Sequence, residues 1–219
     1  MPRTRIKICG ITSLAAARAA VDAGADALGF VFAQGSPRTI DPAQACVIVG
    51  KLPAFVEPVG LFVNTPPDQI ADAAERARVT TVQLHGDEGP DAALQLARRF
   101  RVVKAVPHDA AIIARWRGIS HTAALLVDAP HAPGEPTGGT GRTHDYAGVG
   151  NLDRTGMPPL ILAGGLTPDN VAAAIHAARP FAVDVSSGVE QPDQPGTKDP
   201  DRIAAFCQAV RDADAANAH

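Results

Sequence analysis

Two residues with acid–base chemistry stand where apolar runs of the sequence end. Cys9 ends the run that starts at Ile6, and Asp128 closes the run that starts at Ala124. A thiolate serves as a base when its pKa falls from about 8.5 toward neutrality. A carboxylate inside an apolar strand end is costly to bury unless it is paired or functional. The ordinary alternatives are a buried apolar cysteine and an aspartate in a helix cap or an ion pair.

Two glycine-rich turns follow later apolar runs, and their chemistry suits a phosphate group. They are Gly164-Gly165 and Ser186-Ser187-Gly188. Glycine lets backbone N–H groups approach phosphate oxygens, and a short helix N-terminus adds a favourable dipole. Either turn alone is equally well explained by the need for a tight turn. Their occurrence together predicts a phosphorylated small molecule as the ligand.

Arg38 and His85 are further candidates at the ends of apolar runs. Arg38 follows the second run, where it can reach inward and bind a carboxylate through two hydrogen bonds or remain a solvated loop charge. An inward Arg38 would suit an acidic aromatic substrate. His85 ends the fourth run and is interpreted only as lining the site. The seven histidines show no H-E-x-x-H spacing and the acidic residues no D-x-D-x-D-G loop, so we predict no metal.

Eight apolar runs alternate with helical patterns along the chain and would position these candidates. Short apolar runs bounded by turn residues are typical of buried parallel strands. Their number predicts an α/β fold, a single-domain (β/α)8 TIM barrel, with an open doubly wound sheet as the alternative. In such a barrel, catalytic groups gather at the C-terminal ends of the strands. The runs are Ile6–Cys9, Ala27–Phe32, Val59–Val63, Thr81–Gly86, Val102–Val106, Ala124–Ala129, Pro159–Gly165 and Ala182–Gly188.

Composition limits the classes of function. The 219 residues, 46% hydrophobic and 20% charged, predict one domain over residues 1–219 whose tail frays from about Asp212. A net charge of −3 argues against a nucleic-acid partner. No apolar run reaches the 18 or so residues of a membrane span, and Met1–Arg5 passes into a strand too quickly to predict a signal peptide, so we expect a cytoplasmic protein without membrane contact. Three widely spaced cysteines predict reduced thiols.

Seven sequence blocks carry a family resemblance along nearly the whole chain. They are Lys7–Thr12, Gly24–Phe30, Ser36–Arg38, Val82–Asp87, Gly138–Gly141, Leu162–Leu166 and Asp184–Glu190. Together they resemble the phosphoribosylanthranilate isomerases of tryptophan biosynthesis. The resemblance implies a (β/α)8 barrel without cofactor that converts N-(5'-phosphoribosyl)anthranilate to 1-(2-carboxyphenylamino)-1-deoxyribulose 5-phosphate, an Amadori rearrangement.

The same resemblance implies a role for each candidate. Cys9 matches the general base of the family and Asp128 its general acid, while Arg38 matches the residue that meets the anthranilate carboxylate. The backbone of the two glycine-rich turns matches the phosphate site. The implied partner is therefore a small-molecule substrate, and we expect a monomer or a homodimer.

One segment departs from the family pattern. Residues Arg142–Tyr146 stand where Lys-Thr-Phe-Asp-Trp is expected, which bears on the packing of the loop after the sixth strand. That loop includes Pro130–Gly141, a stretch rich in Pro, Gly, His and Thr that we interpret as a mobile loop and a candidate lid. Two other functions stay open: a related barrel acting on another phosphorylated aminoaldose, and a non-catalytic sensor of a phosphorylated ligand.

Overall fold

The computed structural model describes residues 3–128 and 146–216, and its eight parallel strands close into a barrel in chain order. The strands are β1 (Arg5–Cys9), β2 (Ala27–Val31), β3 (Glu57–Phe62), β4 (Thr81–Leu84), β5 (Arg101–Pro107), β6 (Ala124–Asp128), β7 (Leu160–Leu162) and β8 (Ala182–Val185). Pairing of β1 with β8, from Arg5 opposite Ala182 to Ile8 opposite Val185, completes the ring. The predicted TIM barrel is confirmed and the open sheet is excluded.

Helices between the strands form the outer layer. They are α1 (Leu14–Asp22), α2 (Pro42–Val49), α3 (Pro67–Ala77), α4 (Pro90–Leu96), α5 (Ala110–Ala114), α6 (Tyr146–Gly150), α7 (Val171–Ala178) and α8 (Pro200–Ala216). Short polar side chains fix several starting points, because they accept hydrogen bonds from backbone N–H groups that the first helical turn leaves unpaired. Ser13 caps α1, Asp41 caps α2 and Asp109 caps α5 in this way.

Alternate strand residues build two separate apolar layers, since successive side chains of a strand point to opposite faces. Ile8, Phe30 and Leu125 belong to the large cluster between the barrel and its helices. Leu126 and Ile161 belong to a smaller cluster in the barrel interior. The interior is therefore filled by side chains below the C-terminal mouth, as expected for a barrel of eight strands.

The last two strands are shorter than the sequence predicts. The strand predicted over Pro159–Gly165 ends at Leu162, because Gly164 and Gly165 adopt φ values of 89° and 63°, outside the range of a strand. The strand predicted to reach Gly188 ends at Val185, and a 3₁₀ helix over Ser187–Val189 follows it. Both strands thus end three residues earlier than predicted, and the two glycine-rich turns lie at the barrel mouth.

The C-terminal helix is longer than predicted. Fraying from Asp212 is wrong for residues 212–216, which continue α8 to Ala216. Ala213 is buried, and both carboxylate oxygens of Asp214 accept hydrogen bonds at 2.7 Å from Thr4, one from its backbone N–H and one from its hydroxyl. These contacts hold the end of α8 to the start of β1.

The candidate lid Pro130–Gly141 and residues 142–145 of the atypical segment lie outside the described residues. Tyr146, the last residue of that segment, begins α6. Among the described helices, none has both the length and the apolar character that crossing a membrane requires.

The contact between Asp214 and Thr4 predicts a stability effect at the end of the barrel remote from Cys9. Asp214→Ala leaves the buried N–H of Thr4 without its acceptor, and we expect the free energy of unfolding to fall by about 1–3 kcal/mol. Denaturant titration measures this loss, and kcat should be unchanged. Asp212→Ala is the control, because its exposed carboxylate accepts a hydrogen bond from Gln208, itself exposed on the same helix, and its loss should cost under about 0.5 kcal/mol. Equal losses in the two variants would contradict the assignment.

Candidate active site

The predicted catalytic residues come from different strands and line one pocket at the C-terminal mouth of the barrel. Cys9 is the last residue of β1 and Asp128 the last of β6, and His85 follows β4 directly. Arg38 reaches the same pocket from the loop between β2 and α2. The wall is completed by both glycine-rich turns through Gly164, Gly165, Ser186 and Ser187.

Gly188 is the one predicted site residue that does not line the pocket. A Cβ atom on Gly188 would lie 1.8 Å from the carbonyl oxygen of Leu166, so the turn after β8 packs directly on the turn after β7. Its own carbonyl oxygen accepts hydrogen bonds from Arg202 of α8. Gly188 therefore allows close contact between the two turns, a role that sequence reasoning did not assign to it.

Cys9 is buried at the pocket floor, with 4% of its surface exposed. Its carbonyl oxygen accepts a hydrogen bond from the Ser186 hydroxyl at 3.1 Å, which joins the end of β1 to the turn after β8. Burial raises the pKa of the thiol above its ordinary value, and the nearby ammonium groups of Lys7 and Lys198 oppose that rise. The pKa of the Cys9 thiol is therefore not lowered toward neutrality, which a resting thiolate would require.

Lys7 and Asp184 form a buried ion pair beneath Cys9 that sequence reasoning missed. Lys7 Nζ lies 2.8 Å from Asp184 Oδ1, and the two side chains are 7% and 8% exposed. Burial by itself would lower the pKa of the Lys7 ammonium, but the charges and hydrogen bonds of Asp184 and Cys9 together outweigh burial, and the pKa is raised. Two signals were available: Lys7 stands two residues before Cys9, on the same face of β1, and Asp184 interrupts an apolar strand.

Asp128 forms a hydrogen-bonded chain with His85, which follows β4, and with Gln83 of β4. Nε2 of His85 lies 3.1 Å from Oδ2 of Asp128, and the amide nitrogen of Gln83 lies 2.8 Å from Nδ1 of His85. Both ring nitrogens of His85 are thus occupied, which fixes the plane of the imidazole beside the carboxyl. His85 does more than line the pocket, since it is the hydrogen-bond partner of the candidate acid.

Arg38 is held by a carboxylate of the protein. Its Nε and Nη2 groups donate to the two oxygens of Glu190 at 2.7 and 2.8 Å, and Lys198 Nζ donates to Glu190 Oε1 at 2.9 Å. Although burial alone would raise it, hydrogen bonds from Arg38 and the charge of Lys198 lower the pKa of Glu190 to about 2. Within the described part of the chain, Nη1 of Arg38 has no such acceptor, so one edge of the guanidinium is left for a ligand.

Two consecutive left-handed residues shape the turn after β7. Gly164 and Gly165 both have positive φ, a conformation in which successive backbone N–H groups converge and can bind an anion. Asn170 holds this turn, accepting from the N–H of Thr167 and donating to the carbonyl of Gly165. Over residues 3–128 and 146–216, no group of three or more His, Cys, Asp or Glu is arranged to hold a metal ion.

Comparisons with known proteins agree with this geometry. A family model described as N-(5'-phosphoribosyl)anthranilate isomerase matches residues 6–209. The isomerase of that name from Geobacter sulfurreducens is 48% identical over 211 residues, which cover 94% of this chain and 98% of that protein.

Solved structures show the same relationship. The phosphoribosylanthranilate isomerase from Thermotoga maritima superposes with a TM-score of 0.86 at 41% identity, over 95% of this chain and 99% of that one. A phosphoribosylanthranilate isomerase solved in complex with reduced 1-(o-carboxyphenylamino)-1-deoxyribulose 5-phosphate superposes with a TM-score of 0.83 at 39% identity, with the same coverage. The chain therefore belongs to the N-(5'-phosphoribosyl)anthranilate isomerase family.

Proposed function

We propose that the protein converts N-(5'-phosphoribosyl)anthranilate to 1-(2-carboxyphenylamino)-1-deoxyribulose 5-phosphate in tryptophan biosynthesis. The observation that carries this proposal is the meeting of Cys9 and Asp128 in one pocket whose other walls hold Arg38 and the two glycine-rich turns. An acid, a base, a carboxylate-binding guanidinium and an anion-binding backbone are the groups that this substrate requires.

Asp128 is the proposed general acid. It gives a proton to the ring oxygen of the furanose, and the C1–O bond breaks to leave an iminium cation. His85 holds the carboxyl through the 3.1 Å contact between Nε2 and Oδ2. The acid therefore acts from a fixed position at the end of β6.

Cys9 is the proposed general base. Its thiolate takes the proton from C2 of the opened sugar, which gives an enolamine that tautomerises to the ketone. The iminium makes this proton acidic, so a modest base suffices. The same cation lies beside Cys9 only when substrate is bound, and it then favours the thiolate that burial disfavours in the free enzyme.

The two charged groups of the substrate match two parts of the pocket lining. The anthranilate carboxylate would meet the free edge of Arg38, which Glu190 already orients. The phosphate would meet the backbone N–H groups of the turns at Gly164-Gly165 and Ser186–Gly188. Binding both ends places C1 and C2 between the acid and the base.

Oligomeric state and cellular location stay predictions for this chain. The Thermotoga maritima relative is described as dimeric. A monomer or a homodimer in the cytoplasm remains the expectation from the sequence.

Loss of either proton-transfer group tests the proposed roles. Cys9→Ser and Asp128→Asn should each lower kcat by about 10²-fold or more with the fold intact, because each removes one proton transfer. The assay follows the loss of phosphoribosylanthranilate fluorescence, and circular dichroism checks folding. Cys46→Ser, on α2 and outside the pocket lining, is the matched control and should keep full activity. Near-normal kcat in Cys9→Ser or Asp128→Asn would refute the assignment, and no turnover by the native protein would refute the function.

Truncation of Arg38 tests the carboxylate site. Arg38→Ala should raise KM by about tenfold or more with a smaller change in kcat, because the contact is to a non-reacting group. Steady-state kinetics separate the two parameters. Arg18→Ala, an exposed arginine on α1, should leave KM unchanged. If KM of Arg38→Ala also stays unchanged, the substrate carboxylate binds elsewhere.

Separation of the glycine-rich turns tests the phosphate site. Gly188→Ala would push the turn after β8 away from Leu166, since the new Cβ would lie 1.8 Å from its carbonyl oxygen. We expect competitive inhibition by inorganic phosphate to weaken by roughly tenfold, or about 1.4 kcal/mol. Gly89→Ala is the control, because no atom lies within 4 Å of its added Cβ and its φ is −88°. An unchanged inhibition constant in Gly188→Ala would place the phosphate away from these turns.

A further inference from the structure

We propose that Lys7 is a positioning residue of the reaction, whose ammonium, anchored by Asp184 under the pocket floor, stabilises the negative charge of the Cys9 sulfur during proton abstraction. The proposal rests on the proposed role of Cys9 as the base. It adds a member to the site that touches the reacting thiol and does not touch the substrate.

The strand geometry sets Lys7 and Cys9 on one face. They are two residues apart on β1, so both side chains point into the barrel. Asp184 is opposite Lys7 in the ladder between β1 and β8, and the two side chains meet at 2.8 Å. The ammonium is thereby fixed one layer beneath the thiol.

Gly29 of β2 has no side chain, which leaves open the space beside the Cys9 sulfur and the Lys7 ammonium. Gly29 is paired with Cys9, and a Cβ built on it would lie 2.8 Å from Cys9 Sγ and 3.1 Å from Lys7 Nζ. The sulfur and the ammonium therefore border the same small volume. Any side chain larger than hydrogen at position 29 would occupy it.

Burial makes this neighbour influential. Cys9 and Lys7 are 4% and 5% exposed, and charges interact more strongly where water is excluded. Burial raises the pKa of the Cys9 thiol, the Lys7 ammonium opposes that rise most strongly, and the Asp184 carboxylate reinforces it. The charged groups that act on the thiol are Lys7, Asp184 and Lys198, and the titratable groups that line the pocket with Cys9 are Asp184, Arg38, His85 and Asp128.

A purely structural role makes a different prediction from an electrostatic one. As a tether between β1 and β8, the pair would lower stability when either partner is replaced and would not move the titration of Cys9. As an electrostatic device, Lys7 and Asp184 act on the thiol with opposite sign. Replacing Lys7 disfavours the thiolate, and replacing Asp184 favours it.

The test is a titration of the Cys9 thiolate by its absorbance near 240 nm, with Cys9→Ser subtracted as the blank. Lys7→Met should move the midpoint up by about one pH unit or more, and Asp184→Asn should move it down. The rise of kcat/KM with pH in Lys7→Met should move with the midpoint, so activity below the midpoint falls by about tenfold. Lys104→Met is the matched control, since this buried lysine on β5 forms an ion pair with Glu88 and does not line the pocket around Cys9. It should lower stability and leave the Cys9 midpoint unchanged.

If the Lys7→Met protein does not fold, a second comparison tests the same role. The double variant Lys7→Met/Asp184→Asn has no unpaired buried charge, and its midpoint should lie above that of Asp184→Asn alone. An unchanged or lowered midpoint in Lys7→Met, or in the double variant relative to Asp184→Asn where Lys7→Met does not fold, overturns the role of Lys7. Retained turnover in Cys9→Ser would instead overturn Cys9 as the base, whatever the titration shows.

Discussion

Closure of the barrel between β1 and β8 is the constraint on which the site depends. The ladder sets Lys7 opposite Asp184 and brings the Ser186 hydroxyl onto the carbonyl of Cys9. On the other edge of β1, Gly29 pairs with Cys9 and leaves room for its sulfur. A slip of one residue would turn Lys7 and Cys9 to the outer face. The backbone hydrogen bonds of β1 therefore fix the Cys9 thiol, the Lys7 ammonium beneath it and β8, the strand that leads into a glycine-rich turn.

The charged side chains Lys7, Asp184, Arg38, Glu190 and Lys198 around the pocket are largely buried as ion pairs. Lys7 meets Asp184, and Glu190 meets both Arg38 and Lys198. A buried ion is tolerated only when another group compensates its lost hydration, so each pair also fixes the orientation of its members. For Arg38 this means that two donors are used to hold the guanidinium while another edge faces the pocket. A ligand carboxylate then meets a group whose conformational entropy has already been lost.

The sequence predicts the barrel and its strand-end residues because of how parallel strands are buried. Both faces of such strands are covered, so they appear as short apolar runs, and an aspartate or cysteine at the end of one stands out. Lys7 and Asp184 were missed because they are 177 positions apart and only the register of the closing ladder makes them neighbours. The raised pKa of Cys9 follows from burial, which depends on the packing of several strands. The close contact of Gly188 with Leu166 was missed because a glycine that permits contact between two turns looks the same in a sequence as one that binds a ligand.

An acid and a base in one pocket must start the reaction in opposite protonation states, and environment has to separate them. At the end of β6, Asp128 shares a hydrogen bond with an imidazole whose other nitrogen meets Gln83, so the carboxyl of the proposed acid is held in a fixed position. At the end of β1, the sulfur of Cys9 has an ammonium beneath it that disfavours its proton. One wall is thus suited to give a proton and the other to receive one. An iminium formed between them strengthens this difference, because its positive charge stabilises the thiolate at the moment when the base is needed.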